Sequence, residues 1–438
     1  MKHSVQLLDT PQFKELVRAA WLAPVRRSDI VPEYVPGGFS ADQVWDALTA
    51  IRYAQSYRSP VSLAGASHFS GNWHNFTVRL QDTCRQIADL TYKGSDLDVI
   101  ARDRAGTAFI TQQYIEEMVT NLDFDGFTAN YEDVRAVLVG DRPPVDAAET
   151  IAANYHSLMV ELGDMVDSPF DEQTLDDMYA RLAHGIEDEV RRIEQADIST
   201  GCKVPRSPLQ DHYRAAGSAP ESSIALPIDI ANGRAEAPRR HPIMESMLVN
   251  CQFWRTNLYP ALNNLMGCIA SRFYLVREGY PVMRYVPKIR ILEKWRYGAY
   301  DGIASFSFDE AMAIAHENGD WTAYYDAVMS LLLLEIQDMK RSLLHRAAID
   351  ERAMSGIGNI PYLTHRQRDV LKQAVLAPET EFAIAAHQKT YGIAYSTARA
   401  DLEKLADAGY LTRFMSGSAY HYRAAANLRT TLAAKCPA

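Results

Sequence analysis

Leu258-Tyr259-Pro260-Ala261-Leu262-Asn263-Asn264-Leu265-Met266-Gly267-Cys268-Ile269-Ala270-Ser271-Arg272-Phe273-Tyr274-Leu275-Val276-Arg277-Glu278 decides the architecture. Wound at 3.6 residues per turn, this run is apolar on most of its sides. A helix without a polar face has no side to offer water, so it belongs inside a domain. The expectation is a central helix starting after Pro260. Leu262, Leu265, Met266, Ile269, Phe273 and Leu275 should be enclosed by other elements.

The surroundings of that run are helical too. Residues 111 to 350 are dominated by helical periodicity, with Ile110, Tyr114, Ile115 and Met118 on one face. Asn130 to Leu138 opens with a polar cap and acids in its first turn, a helix start. Ala147 to Leu162 and Asp171 to His184 read as two further helices. Ser199 to Arg240 is rich in Pro, Gly and Ser and reads as loops with a short hairpin. Residues 1 to 110 form an N-terminal helical region with breaks such as Pro36-Gly37-Gly38, and Ser62 to Ser67 reads as a turn. No function attaches to that region. Gly356, Gly358 and Pro361 mark residues 351 to 362 as a linker.

Residues 363 to 424 form a separate unit. Thr364 is a natural cap for a helix carrying Val370, Leu371, Ala374 and Val375. A second helix runs from Glu381 to about Thr390, and Gly392 marks the turn after it. The third runs from Ala394 to Leu405 and stops at Ala408-Gly409, where glycine takes a left-handed cap. Tyr410 to Phe414 and Ala419 to Arg423 alternate like two strands around Ser416-Gly417-Ser418. That order is the winged helix-turn-helix plan. The fold class is therefore mainly α, a helical core followed by a winged-helix domain.

The 438 residues carry a net charge of −10, so the chain as a whole is no generic polyanion binder. Residues 363 to 438 hold ten basic and six acidic groups, a local +4 that leaves −14 on the remainder. Double-stranded DNA is the partner this locally basic unit suggests. Ser396, Thr397 and Arg399 at the start of the third helix suit base edges and phosphates, and Arg413, His421 and Arg423 suit a wing along the backbone. The alternative is a unit that packs on its own chain or on a protein. The five cysteines are odd in number and widely spaced, without zinc spacing, as in a reducing cytoplasm. The N-terminus lacks a signal-peptide core, and the apolar run Met329 to Leu334 is too short to cross a bilayer. The expectation is a cytoplasmic, non-membrane homo-oligomer.

Three stretches, in order, resemble the Fic family (filamentation induced by cAMP). Glu117 to Gly126, followed by Tyr131 to Leu138, is similar to that family's S-x-x-x-E-G inhibitory helix and the E-E-V-R-A-L-L helix after it. Phe253 to Pro260 sits where the family reads F-x-x-I-H-P-F. Arg277-Glu278-Gly279-Tyr280-Pro281, Tyr285-Val286-Pro287 and Glu317 to Thr322 resemble R-A-G-Y-P and E-x-G-D-W-T-P. The likeness spans residues 110 to 424, and it implies a Fic-like helical domain over 111 to 350.

The family's H-P-F-x-D/E-G-N-G-R motif is eroded here. Its His is a base, its acid holds magnesium, its Gly-Asn-Gly cradles phosphate, and its Arg clamps the γ-phosphate. Tyr259 replaces the base, and a tyrosine with a pKa near ~10 keeps its proton at neutral pH. Asn263 replaces the acid, and Asn264-Leu265-Met266 replaces the cradle. Gly267 falls where the Arg belongs, with Arg272 as a candidate for the remaining arginine. The inhibitory segment changes in parallel, with Asn121 for Ser/Thr and Asp125 for Glu, ahead of Gly126. The resemblance implies a pseudo-enzyme with no metal and no cofactor, whose pocket takes a small ligand or a protein partner. The alternatives are an active AMP or phosphate-group transferase with a rebuilt site, and an interaction scaffold without DNA binding.

Three other features invite a reading. Asn232-Gly233-Arg234 beside His241-Pro242 has motif letters in reversed order, as a polar loop gives by chance. Arg284, Lys288, Arg290, Lys294 and Arg296, interleaved with Tyr285, Ile289, Ile291, Leu292, Trp295 and Tyr297, form either an anion or nucleic-acid patch or, more simply, a solvated face beside a core face. His68 and His74 read as loop histidines, since no acid or third His is near in sequence.

Overall fold

The computed structural model describes residues 7–60, 71–103, 112–200, 223–235, 241–378, 380–416 and 419–436. They are mainly helical. The turn expected at Ser62 to Ser67, His68, and most of the loop segment 199–240 lie outside the described residues. Two compact units emerge. The first spans Met1–Leu138 and Arg142–Gln337, and the second Val139–Asp141 and Asp338–Ala438.

The first unit runs through α1 (Pro11–Leu22), α2 (Ala41–Ala54), the strands β1 (Tyr57–Arg58) and β2 (Trp73–His74), α3 (Val78–Thr91) and α4 (Asp96–Asp103). It continues with α5 (Gln112–Phe124), α6 (Tyr131–Leu138), α7 (Ala147–Glu161), α8 (Glu172–Leu182), α9 (Glu187–Thr200), α10 (Ala225–Ala231) and α11 (Pro242–Thr256). The rest is α12 (Asn263–Arg277), α13 (Lys288–Arg296), α14 (Phe308–Asn318) and the start of α15 (Thr322–Gly358). Local chemistry sets the starts. Ser40 and Gln43 form a reciprocal capping box on α2, and Asn130 Oδ1 accepts from Asp133 N at the head of α6.

The hub is α12. Every residue from Asn263 to Val276 is buried, as its apolar breadth requires. Gly267 lets α11 approach: a Cβ there would sit 2.8 Å from the Asn250 carbonyl oxygen and 3.1 Å from Phe253 Cβ. Glu317 to Thr322 ties the N-terminal strands to this core. Gly319 ends α14 at φ +68, Trp73 N donates to Gly319 O and Trp321 N to Trp73 O, each at 2.8 Å, and Asp320 pairs with buried Arg52 at 2.7 Å.

Three stretches fold differently from their sequence reading. Phe382–Ala383, read as the start of a helix from Glu381, pairs as a strand with Tyr422 and His421, and the helix begins at Ile384. Residues 225–231 are helical, because Pro227, Ile228, Ile230 and Ala231 have a core to bury in. Asn232 then donates to the Phe170 and Ile228 carbonyls, Gly233 turns at φ +68, and Arg234 pairs with Asp229 at 3.0 Å. The Asn-Gly-Arg triplet is therefore a helix-ending turn. The expected linker at 351–362 is helical as far as Gly358. Ala353 and Ile357 are wholly buried in the second unit's core, which outweighs the weak helix preference of two glycines.

The second unit holds the rest of α15, then α16 (His365–Leu376), β3 (Phe382–Ala383), α17 (Ile384–Tyr391), α18 (Tyr395–Asp407), β4 (Leu411–Ser416), β5 (Ala419–Ala424) and α19 (Leu428–Ala433). Thr364 and Gln367 make the capping box of α16, and Gly392 ends α17 at φ +61. The sheet is antiparallel in the order β3-β5-β4, with Arg413 opposite Tyr422 and Phe414 opposite His421. Val370, Leu371, Ala398, Leu402, Leu405 and Tyr422 fill the centre. Gly356 is required here, because a Cβ would lie 1.9 Å from the Leu432 carbonyl oxygen of α19. Gly356→Ala is expected to destabilise the chain by about 1–3 kcal/mol, as overpacking does, with a lower urea midpoint. An unchanged midpoint would mean that α19 is free to move aside.

Candidate functional site

One helix serves the starts of two others. α5 carries Glu117, and Asp125 follows its C-terminal end. Gly126 at φ +85 turns the chain there, with Phe127 N returning to Leu122 O at 2.9 Å. Asp125 reaches the N-terminus of α12, where its two oxygens accept from Asn264 N at 3.0 Å and Leu265 N at 2.9 Å. Glu117 accepts from Ile289 N at 3.3 Å and Arg290 N at 2.7 Å in the first turn of α13, and from Arg272 Nη2 at 2.8 Å. A carboxylate against the free N–H groups of a helix start is held by hydrogen bonds and by the helix dipole together.

The residues matched to the Fic motif gather at that start. Asn121 Oδ1 accepts from Asn264 Nδ2 at 2.6 Å. Asn263 brackets the backbone of Tyr259, accepting from its N at 2.8 Å and donating to its O at 2.7 Å. The bracket supports a strained turn in which Leu262 sits at φ +60. Tyr259 Oη donates to Asp176 Oδ1 at 2.9 Å, and its ring stacks on Tyr179 at 4.2 Å between centroids. Burial, and then Asp176, raise the Tyr259 pKa far above the ordinary tyrosine value. A tyrosine so placed holds its proton and accepts none. Arg272 lies deeper, 1% exposed, bonded to Glu117 and to the carbonyls of Arg284 and Val286 at 3.1 Å. It is not at the helix start. The sequence does not single out Asp176 or Tyr179 for this cluster, and it offers Glu117 only as the head of the inhibitory-helix stretch.

Burial pushes the Asp125 carboxyl up to about 7, against the opposing pull of its two backbone N–H donors. An unfolded aspartate titrates near ~3.9. Below about pH 4 both states hold the proton and this group's contribution to stability is complete. Between there and pH 7 the native state binds more protons than the unfolded one, so stability falls as pH rises. Folding is expected to take up close to one proton at about pH 5.5, and Asp125→Asn should flatten the stability profile across that window. A profile with the same slope in the variant would sink the assignment.

Three of the five residues of the basic cluster do not face solvent, while Lys294 and Arg296 are half-buried. Arg284, Lys288 and Arg290 are all buried. Arg284 Nη1 donates to Val160 O at 3.0 Å, Lys288 Nζ to Ser271 Oγ at 2.9 Å, and Arg290 pairs with Glu116. Their heads turn inward because Glu116, the Ser271 hydroxyl and the Val160 carbonyl supply partners. His74 is buried as well, its ring 4.9 Å from Tyr325. Among the described residues no group of three His, Cys, Asp or Glu could hold a metal ion, and no helix is long and apolar enough to cross a membrane.

In the second unit, Ser396, Thr397 and Arg399 are exposed on the first turn of α18, next to exposed Tyr395. Arg399 pairs with Glu403 at 2.8 Å. Asp401 points inward instead, bound by Arg366 at 2.7 Å and within 3.3 Å of His387. It therefore presents no charge to a ligand on the outer face. The hairpin divides its basic groups between two faces, since side chains alternate along a strand. Arg413 shares the face of Tyr422, whose hydroxyl is within electrostatic reach of Glu403, Arg413 and Arg399. Its guanidinium lies 4.7 Å from the Tyr420 ring centre. His421 and Arg423 take the opposite face, with His421 3.2 Å from Glu381 and Arg423 over Phe414. The structure thus joins Arg413 to the α18 residues and separates His421 and Arg423 from them. No protein-family model matches the chain, and comparison with the curated proteins gives no match.

Proposed function

We propose that this chain is a DNA-binding regulator built on a Fic-like core without transfer chemistry, its C-terminal unit working as a winged helix. The observation that carries the reading is the exposed first turn of α18, with Ser396, Thr397 and Arg399 facing outward beside Arg413 of the hairpin. Three helices and a hairpin in this order suit insertion of α18 in a major groove. A locally basic unit on an acidic chain draws DNA to one face only.

The loss of chemistry is supported at the start of α12. Asp125 already fills the anion position there, with both oxygens on backbone N–H groups. A phosphate brought to the same N–H groups would meet a buried acid. Gly267 lies against α11 with no room for a Cβ, let alone for an arginine. Asn121 and Asp125 stand beside Asn264, as a descendant of an inhibitory helix would, which favours the Fic-like reading of both stretches. Incubation with labelled ATP, magnesium and a hydroxyl-bearing partner is expected to give no label on either protein. Label that appears in the wild type and vanishes in Tyr259→Phe would replace this reading with that of a rebuilt transferase.

A further inference from the structure

The first unit contains a pocket that the α12 start does not use. It lies among α11, α13 and the first turns of α15 and encloses about 550 Å³ of atom-free space, its mouth included. Leu248, Leu292, Trp321, Tyr324 and Val328 make most of an apolar, aromatic wall. Among the lining residues Lys288 is the charged one. Asn250 and Cys251 line it as well, and a mostly apolar pocket with a few polar groups is the usual make of a small-molecule site.

Lys288 is only 5% exposed. Its Nζ donates to Ser271 Oγ at 2.9 Å, and Ser271 Oγ passes its own proton bond to Cys268 O at 3.0 Å. Among the described residues no carboxylate stands within ion-pair distance of Nζ. Glu117, which attracts it from farther off, is engaged by Arg272 and by the head of α13. Burial, reinforced by the Arg272 charge and countered by Cys268 and Glu117, brings the Lys288 pKa down from 10.5 to about 7. A pKa lowered that far leaves an appreciable share of free amine near neutral pH, and a neutral buried amine is a nucleophile.

We propose that this pocket takes a small aldehyde or ketone on an aromatic or apolar body, and that Lys288 holds it as a Schiff base. The Nζ lone pair attacks the carbonyl carbon, and a proton passes from nitrogen to oxygen to give the carbinolamine. Loss of water leaves the C=N bond, and hydrolysis reverses the sequence and frees the ligand. No oxidant or reductant is consumed. The ring faces of Trp321 and Tyr324 suit a single-ring body, and the apolar wall excludes a multiply charged one.

The test uses the full chain with benzaldehyde and sodium cyanoborohydride at pH 7, followed by digestion and mass spectrometry. The borohydride delivers hydride to the C=N carbon and fixes the adduct as a secondary amine. Solvated lysines with the ordinary pKa near ~10.4 have about one free amine in 2,500 at this pH. Labelling at Lys288 is expected to exceed theirs about tenfold or more, and the excess should shrink as the pH is raised toward 10. Equal labelling of all lysines, or none at Lys288, would overturn the proposal. Lys288→Met should remove the dominant adduct. Val328→Trp, which fills the pocket and keeps the lysine, should suppress it without lowering the label on Lys294. Persistent labelling of Lys288 in that variant would overturn the assignment to this pocket.

Discussion

Glu117→Gln is expected to lower stability by about 3–5 kcal/mol, the cost of removing one member of a buried ion pair. Glu117 is 2% exposed and Arg272 1% exposed. The carboxylate takes hydrogen bonds from the Arg272 guanidinium, Ile289 N and Arg290 N. Glutamine offers one oxygen for these donors, and its NH2 must face another N–H. Arg272 is then left charged in a low-dielectric interior, where an uncompensated ion is most costly. The neighbouring Glu116 provides the contrast. Its side chain is 28% exposed, and Glu116→Gln should cost about 1 kcal/mol or less, as part-solvated pairs do. Urea unfolding followed by far-UV circular dichroism separates the two. Replacing both members with apolar residues, Glu117→Leu with Arg272→Met, should recover much of the loss. Equal small shifts for Glu117→Gln and Glu116→Gln would show that the pair does not hold α5, α12 and α13 together.

That pair also marks the limit of what the sequence discloses. The enclosure of α12 was legible because apolar breadth has one physical outcome, and Leu262, Leu265, Met266, Ile269, Phe273 and Leu275 are each at most 1% exposed. The three helices and the hairpin of the second unit were legible for a similar reason, whereas β3, inside the stretch read as a helix from Glu381, and α19 were not. Thr364, Gly392 and Gly409 are local signals that need no distant partner. The partnership of Glu117 with Arg272 spans 155 positions, and that of Tyr259 with Asp176 spans 83. Nothing local marks either. A weak clue lay in the helical face shared by Tyr114, Glu117, Met118 and Asn121, which puts one acid of the Glu116-Glu117 pair among apolar neighbours. The basic cluster misled because Arg284, Lys288 and Arg290 look like a surface until their acceptors, far off in the chain, are known. The glycines of 351–358 misled in the opposite direction. They signal a break locally, and the burial of Ala353 and Ile357 overrides them.

DNA binding should respond to four substitutions in a pattern that no packing role would give. Arg399 extends from the first turn of α18, and its present partner is Glu403 at 2.8 Å, with side chains 53% and 31% exposed. A half-exposed pair of this kind contributes little to the fold, so both residues can change without unfolding the unit. Arg399→Ala should weaken binding by about 1–3 kcal/mol if the guanidinium reads a base edge. If it meets a phosphate instead, the loss should be uniform across sequences and the salt slope should fall by about 1. Glu403→Gln should strengthen binding, since it releases Arg399 and removes a negative charge from the approaching face. On the hairpin the strand period separates two arginines of equal charge. Arg413 shares the face directed to α18, so Arg413→Ala should weaken binding. Arg423 lies on the other face over Phe414, so Arg423→Ala should change it by less than about twofold. A symmetric dimer would set two copies of α18 one DNA turn apart, ~34 Å or a multiple of it. Gel-shift titrations against genomic fragments at two salt concentrations distinguish these outcomes. Equal losses for Arg413→Ala and Arg423→Ala would mean that charge alone, with no defined face, holds the DNA. Negligible retention of the wild type at low salt would make the second unit a protein-packing module, with Tyr395, Ser396 and Thr397 as the surface to search for its partner.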